Sequence, residues 1–214
     1  MKIIYLMDQM YIHGGGEKIL SLKVNALAND FGCEVYLCTT EQKNKPAIYP
    51  ISKKVNLLDL NINYKRSKSY FHPINLIKIT QHFFKLNKVI GKIQPDVLIS
   101  VSQSPEQFFL PFILTKIPKI KEFHSSGAAL IKPKSIFEKL KNKLFMLFKK
   151  YHKVVVLNND EKRYYPFSNL TVIPNFIKQK TTINPIKREK TIIAAGRIAG
   201  VKQFNHLIRA WSLL

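Results

Sequence analysis

Three consecutive glycines follow the first apolar segment of the chain. Residues 2–7 predict a β-strand, and Gly14, Gly15 and Gly16 precede a predicted helix over about residues 17–31. Glycine lets the backbone come close to a ligand, and a helix N-terminus offers free N–H groups to phosphate. The run matches neither the G-x-G-x-x-G dinucleotide pattern nor a P-loop. Gly15 and Gly16 are therefore candidate ligand contacts, and a tight turn without a ligand is the alternative.

A second candidate phosphate site lies near the end of the sequence. Gly196 and Arg197 follow a predicted strand over residues 191–195, and Lys202 starts the next predicted helix. An arginine fork and a lysine point charge both suit a diphosphate that lies across a helix start. Two cations beside a loop are also a common solvated surface. Their position after a strand favours Arg197 and Lys202 as diphosphate contacts.

His124 is the third candidate, directly after a predicted strand over residues 120–123. A histidine at a strand end can hydrogen-bond a substrate hydroxyl or move a proton, and the alternative is a loop histidine satisfied by backbone. The 6 histidines of the chain form no H-x-x-x-H or H-E-x-x-H pattern. No metal site is therefore predicted. The sequence also lacks a G-x-S-x-G nucleophile elbow and a close pair of carboxylates.

The chain is strongly basic. Its 214 residues carry 35 Lys+Arg against 13 Asp+Glu, a net charge of +22, and 46% of the residues are hydrophobic. That hydrophobic content excludes a disordered chain, and the charge recruits anions such as nucleic acid, lipid headgroups or phosphorylated small molecules. Lysine far outnumbers arginine. Because arginine forks dominate direct base readout, this bias disfavours sequence-specific DNA binding.

Residues 132–153 combine lysines with apolar residues at helical spacing. The lysines are Lys132, Lys134, Lys139, Lys141, Lys143, Lys149, Lys150 and Lys153. Basic amphipathic helices of this kind bind anionic membrane surfaces, and the lysines of the predicted helix over residues 74–93 would widen that surface. The alternative is that the apolar stripe packs on a sheet and the lysines are only solvated. No apolar run approaches the roughly 20 residues of a membrane span.

Apolar strand segments alternate with helical segments along most of the chain. Strands are predicted at 2–7, 34–39, 54–60, 96–100, 120–123, 153–157 and 170–173, and helices at 17–31, 74–93, 105–115, 134–151 and 160–165. This order predicts a parallel sheet flanked by helices, that is, an α/β, Rossmann-like, doubly wound fold.

The composition changes after the last of these strands. A polar, basic and proline-containing stretch has the composition of a linker. We therefore assign residues 1–177 to a first Rossmann-like domain, 178–189 to a linker and 190–214 to the first β-loop-α unit of a second domain. One strand and one helix cannot bury both their faces, so we expect a truncated piece of a longer protein. Cys33 and Cys38 have no partners at zinc spacing and are expected to be free thiols.

Several short motifs occur in the order typical of family 4 glycosyltransferases. They are the glycine run with Glu17 and Lys18, Asp-Val-Leu-Ile-Ser at 96–100, Lys-Glu-Phe-His at 121–124, Val-Ile-Pro-Asn-Phe at 172–176, and Ala-Gly-Arg-Ile at 195–198 followed by Lys202. The chain resembles this family over its whole length, and in particular its bacterial capsule and exopolysaccharide enzymes, such as amylovoran-type galactosyltransferases. One departure is Gln203, where the family usually has glycine after the lysine.

The resemblance implies a GT-B fold, in which two Rossmann-like domains face a cleft. It implies transfer of a hexosyl residue from a nucleotide sugar, expected to be a UDP-sugar, with retention of configuration and without a metal or other cofactor. It also implies that Gly15 and Gly16 approach the donor diphosphate or the acceptor, that His124 is catalytic and contacts the transferred sugar, and that Arg197 and Lys202 neutralise the departing diphosphate.

The same resemblance implies a place and a partner in the cell. The expected acceptor is a lipid-linked oligosaccharide in surface (capsule) polysaccharide synthesis. The protein would then be cytoplasmic and peripherally associated with the inner face of the cytoplasmic membrane, where its positive charge is attracted to anionic lipid. The family's acidic E-x7-E region, which holds the donor, would lie beyond residue 214, so the chain alone is expected to be nearly inactive.

Two other interpretations stay open at the level of sequence. A basic α/β module that binds nucleic acid is supported by the charge, but the sequence lacks RNP-type and helix-turn-helix patterns, and nucleic acid is not the expected partner. A remnant without enzymatic activity that binds anionic lipid or acceptor differs from the transferase only in activity.

Overall fold

The computed structural model describes residues 1–124, 126–127, 143–176, 192–196 and 203–213. The chain forms two compact units, Met1–Lys178 and Gln179–Leu214. The first unit contains the sheet and the candidate site residues that the structure describes.

Seven parallel strands form one sheet in the first unit, in the order β3-β2-β1-β4-β5-β6-β7. The strands are β1 (Lys2–Met7), β2 (Glu34–Thr39), β3 (Val55–Asp59), β4 (Val97–Ser100), β5 (Lys119–Glu122), β6 (Lys153–Val156) and β7 (Leu170–Val172). The α/β, Rossmann-like class predicted from the alternation of segments is confirmed.

The helices lie on both faces of this sheet. The first two are α1 (Gly15–Asn29) and α2 (Pro73–Ile93). The ring of His72 accepts a hydrogen bond from the backbone N–H of Ile74 at the start of α2, and Gln94 ends that helix in the left-handed conformation. The strand order reverses between β3 and β4, so right-handed connections place α1 and α2 on opposite faces.

Alternate residues of each strand supply two separate cores. On one face, Ile3, Leu37 and Ile99 pack with Leu20 and Val24 of α1. On the other face, Ile4, Leu6 and Leu98 of the strands pack with residues of α2, which include Leu86 and Ile90, and with an aromatic group that includes Phe148. This two-residue period is the expected result of burying a sheet on both sides.

Three predicted helices differ from the structure. The predicted helix over 160–165 is a 3₁₀ turn, Asp160–Tyr164. The predicted helix over 105–115 is a short α3 (Glu106–Phe109) and a 3₁₀ turn, Leu110–Phe112, because Pro111 has no N–H to donate and Ile113 is extended. Of the predicted helix over 134–151, residues 134–142 lie outside the described part. The rest ends in a 3₁₀ turn, Met146–Lys150, and Tyr151 is extended, with its hydroxyl donating to the carbonyl oxygen of Gln107 at 2.8 Å.

The second unit is described at residues 192–196 and 203–213. Residues 192–195, the described part of the strand predicted over 191–195, do not form a strand, and Ile192 and Ile193 are 65% and 85% exposed. Strands of a parallel sheet are buried on both faces, which these side chains are not. Helix α4 (Phe204–Trp211) follows within the predicted 202–214 range. Its role as the start of a donor domain stays a prediction.

The cysteines and the helices bear on two expectations from the sequence. Cys33 and Cys38 are free, and Cys38 is buried. In the described residues, no helix combines the length and the apolar character that crossing a bilayer requires.

Candidate active site

The candidate site lies at the carboxyl edge of the sheet, around the point where the strand order reverses. In open parallel sheets this reversal leaves a crevice outside the strand ends, and ligands bind there. Strands β1, β4 and β5 are neighbours at this point. Residues 14–16, here called the glycine loop, follow β1, and His124 follows β5. The fold therefore brings two of the predicted site segments to the same edge.

The glycine loop has more space than its fold requires. Gly14 is the extended residue before α1, and Gly15 and Gly16 form its first turn, where no positive φ is found. A Cβ added to Gly15 would meet nothing within 4 Å, and one added to Gly16 would meet only the Cε of Met7 at 3.9 Å. Neither backbone strain nor packing explains glycine at these two positions. A ligand that approaches the backbone closely would explain it.

A carboxylate lies against the glycine loop. Glu17 folds back so that its Oε2 occupies the space where a side chain at Gly14 would begin. Its Oε1 accepts a weak hydrogen bond from Nε2 of Gln9 at 3.4 Å, and the residue is 8% exposed. The carboxylate complements the positive end of α1, as expected for the first helical turn. It also places negative charge where a phosphate would otherwise bind.

Replacing Gly15 tests the significance of this open space. We expect Gly15→Ala to raise the free energy of unfolding by up to about 1 kcal/mol, because alanine restricts the unfolded chain and favours helix. We expect the same substitution to weaken ligand binding at the loop by about tenfold, because the new methyl group blocks close approach. Urea unfolding and titration with candidate sugar ligands measure the two effects.

Gly91→Ala is the matched control for that substitution. Gly91 lies in α2, and a Cβ there would also meet nothing within 4 Å. It should stabilise the protein similarly without changing ligand binding. If Gly15→Ala bound the sugar ligands as tightly as Gly91→Ala, the space at Gly15 would have no role in recognition.

His124 is held in a chain of polar contacts on the α1 face of the sheet. Its Nε2 lies 3.2 Å from Oε2 of Glu122, and its Nδ1 lies 3.2 Å from Oδ1 of Asn175. Glu122 also accepts from Nζ of Lys23 in α1, at 2.8 Å. Residues 122 and 124 share a face because successive side chains of a strand alternate. Within the part of the chain that the structure describes, both ring nitrogens of His124 therefore contact side chains.

The carboxyl group of Glu122 stays ionised although it is buried. Burial favours the neutral form, but the hydrogen bond with His124 and the charge of Lys23 outweigh it and lower the pKa of Glu122 below its ordinary value. An ionised, buried carboxylate can only accept hydrogen bonds. Its position beside His124 therefore restricts which ring nitrogen carries a proton.

A second polar group lies under the crevice on the opposite face. Lys121 is 1% exposed, and its Nζ donates to the carbonyl oxygen of Ser102 at 2.5 Å and to Oγ of Ser100 at 3.3 Å. The Ser100 hydroxyl donates to Oε1 of Glu106 at 3.2 Å. Burial raises the pKa of Glu106 to about 7 and lowers that of Lys121 to about 8. These groups link β4, β5 and α3 beneath the site.

A buried polar cluster joins the ends of β1 and β4. The Ser102 hydroxyl donates to Oδ1 of Asp8 at 2.5 Å, and the Ser104 hydroxyl donates to the same oxygen. Both serines are buried. Arg66 reaches Oδ2 of Asp8 at 3.3 Å and Oε1 of Glu41 at 2.7 Å. Two carboxylates thus pair with one guanidinium at the carboxyl edge of the sheet.

The structure describes three of the five predicted site residues. Gly15, Gly16 and His124 lie at the carboxyl edge of the sheet, whereas Arg197 and Lys202 lie outside the described residues. Sequence reasoning missed the partners of His124, namely Glu122, Lys23 and Asn175. The spacing Glu-x-His at a strand end was a usable signal for Glu122. Asn175 lies in the motif at 172–176, but that motif did not indicate a contact with His124. No signal marked Lys23, because its contact depends on how α1 packs.

Comparison with known proteins identifies related sequences and folds. An uncharacterized glycosyltransferase of Haemophilus influenzae is 27% identical over 215 residues, which cover 94% of this chain and 54% of that protein. No family model matches the chain. The chain therefore spans about half the length of the curated relative that it matches.

Two solved structures show the same fold. The apo form of the lipopolysaccharide outer core galactosyltransferase WaaB aligns with a TM-score of 0.59 and 15% identity, over 89% of this chain and 50% of its own. LpCGTa in complex with UDP aligns with a TM-score of 0.53 and 12% identity, over 83% of this chain and 53% of its own. The chain therefore shares the fold of about half the length of each of these two proteins.

Proposed function

We propose that this chain belongs to a glycosyltransferase that moves a hexosyl residue from a nucleotide sugar to a glycan acceptor with retention of configuration. The observation that carries the proposal is the pairing of an open glycine loop with a side-chain-anchored histidine on one sheet edge. Support also comes from the glycosyltransferase relative and from the shared fold. The UDP complex of LpCGTa makes a UDP-sugar the first donor to test.

The site residues have distinct roles in this proposal. His124 contacts the transferred sugar near the reacting carbon, and Gly15 and Gly16 let a substrate approach the backbone. Arg197 and Lys202 neutralise the diphosphate that leaves, since charge developing in the transition state is where fixed cations help most. No metal or cofactor takes part in the proposed reaction.

The charges around the glycine loop favour an acceptor there over the donor diphosphate. The carboxylate of Glu17 lies against the loop. Carboxylates repel a diphosphate but accept hydrogen bonds from sugar hydroxyls. We therefore assign the glycine loop to the sugar part of the acceptor, which in our proposal is a lipid-linked oligosaccharide used for surface polysaccharide such as capsule.

A transfer assay tests the proposed activity. The complete gene product is incubated with radiolabelled UDP-, GDP- and dTDP-sugars and with lipid-linked oligosaccharide extracted from bacterial membranes. Transfer of label to the lipid extract, with release of the nucleoside diphosphate, is the expected result. Absence of transfer from every donor, with a folded protein, would contradict the proposal.

The proposed membrane contact rests on α2. For the described part of residues 132–153, Phe148 and Tyr151 are buried in the core, so there the apolar stripe packs on the sheet. The outer side of α2 instead exposes Ile77 and Phe84 to 62% and 66%. Residues 60–95 contain 7 basic and no acidic residues. We propose that this surface rests on anionic lipid at the inner face of the cytoplasmic membrane.

Vesicle binding tests this contact. We expect the protein to co-sediment with vesicles containing phosphatidylglycerol at low salt, and added salt should release it by screening the lysines. The double substitution Ile77→Ser/Phe84→Ser should reduce partitioning by about tenfold, since it removes apolar area that enters the interface. Phe31→Ser is the control, because Phe31 is 73% exposed but follows α1, which packs on the other face of the sheet. Equal binding to neutral vesicles would contradict the proposal.

A further inference from the structure

The two ring nitrogens of His124 face partners of different character. Glu122, at Nε2, is 6% exposed and is fixed by the 2.8 Å ion pair with Lys23. Asn175, at Nδ1, is half-buried and lies in the segment after β7. The Glu122 side is therefore a fixed anchor, while the Asn175 side lies nearer to solvent.

The anchor determines the position of a proton. A carboxylate has acceptor sites and no donor, so a hydrogen bond between Glu122 and Nε2 exists only when Nε2 carries the hydrogen. The neutral ring then has an unprotonated Nδ1. This is the logic by which a buried acid orients a histidine in hydrolase triads.

Asn175 fits this arrangement in either charge state of the ring. A carboxamide can donate through Nδ2 or accept through Oδ1, and its two ends have nearly the same shape. It can therefore donate to an unprotonated Nδ1, or accept from a protonated one. A substrate hydroxyl, which also donates or accepts, can take the place of this amide without leaving Nδ1 unsatisfied.

We propose that Glu122, backed by Lys23, is a positioning residue that keeps the proton of His124 on Nε2. Nδ1 is then the nitrogen that accepts a hydrogen bond from a sugar hydroxyl when the substrate displaces the side chain of Asn175. The sugar hydroxyl rests on the proposed transferase function. The position of the proton does not, since it follows from Glu122 and Lys23 alone.

Nitrogen NMR of the ¹⁵N-labelled chain tests the proton position directly. Long-range ¹H–¹⁵N spectra at a pH where the ring is neutral should show a protonated Nε2 and an unprotonated Nδ1 for His124. In Glu122→Gln, whose amide can donate as well as accept, the population of the Nδ1–H form should rise by about tenfold or more, as expected when a charge-assisted hydrogen bond is lost. A wild-type protein with the proton on Nδ1 would overturn the proposal, even if the variant did not fold.

Lys23→Arg is the matched control, because it keeps a cation beside Glu122 and leaves the Glu122–His124 contact. Its tautomer should match the wild type, and an unchanged tautomer in Glu122→Gln would also overturn the proposal. In the complete gene product, Glu122→Gln should lower kcat by about tenfold or more with KM nearly unchanged. An equal fall in Lys23→Arg would assign the loss to packing and count against a positioning role. The expected tautomer without any sugar transfer would contradict the transferase function alone.

Discussion

Replacing Lys121 with methionine should destabilise the protein by about 3–5 kcal/mol at pH 8. The lysine is 1% exposed and shares the Ser100 hydroxyl with Glu106, which is itself fully buried. Methionine fills similar space but leaves the carboxylate without its cation, and an unpaired buried charge is among the most costly defects in a core. Urea unfolding at fixed pH measures the loss.

The loss should be smaller in acid. Burial raises the pKa of Glu106 to about 7 from an ordinary value of 4.5. For a carboxyl with a raised pKa, the unfolded chain releases its proton first, so its contribution to stability is present below pH 4.5 and is lost as pH rises through 7. Without Lys121 the carboxyl can still stay neutral in acid. The effect of Lys121→Met should therefore be clearly lower at pH 5 than at pH 8.

The double variant Glu106→Gln/Lys121→Met separates charge from packing. With both charges removed, stability at pH 8 should return to within about 1 kcal/mol of the wild type or exceed it, because neutral side chains avoid the desolvation of two ions. Lys119→Met is the control, since Lys119 is also buried but its Nζ donates to the carbonyl oxygen of Thr115 at 3.0 Å. A double variant as unstable as Lys121→Met would show that the lysine contributes by packing alone.

The burial of Lys121 is also a feature that the sequence did not predict. The strand and helix bounds followed from apolar periodicity and from breakers such as Pro73, and β1, β2 and α2 agree with the prediction to within one residue. The segment Lys-Ile-Lys-Glu of β5 carries three charged residues, yet Lys119, Lys121 and Glu122 are all buried. Their burial depends on partners from β4, α1 and α3, which no local pattern reveals.

The sequence likewise predicted part of the candidate site and missed the rest. The glycine loop and His124 could be found because strand ends of a parallel sheet share one edge, and this is a rule of topology. The ion pairs at the ends of β1 and β2 could not be predicted from this rule. Asp8, Glu41 and Arg66 are distant in sequence, and their contacts arise only when the segments after β1, β2 and β3 fold over one another.

Substituting alanine for His124 should lower kcat for sugar transfer by about 10²–10⁴ in the complete gene product, the range typical of a group that acts in the transition state. The change should fall on kcat more than on KM, since a contact that strengthens only as the sugar reacts adds little to ground-state binding. The fold should survive, because His124 lies after β5 and its ring contacts Glu122 and Asn175 at the rim of the sheet, outside the two cores.

His152→Ala is the control for this experiment. His152 precedes β6 at the opposite edge of the sheet, where its Nδ1 accepts from the backbone N–H of Lys119 at 3.1 Å. Its loss should cost stability of about 1 kcal/mol without a change in kcat beyond the folded fraction. If His124→Ala retained more than about a tenth of the wild-type kcat, the contact with the transferred sugar would be ruled out as a catalytic one. The ring of His124 would then serve to tie β5 to the segment after β7, as the Glu122–Lys23 ion pair ties β5 to α1.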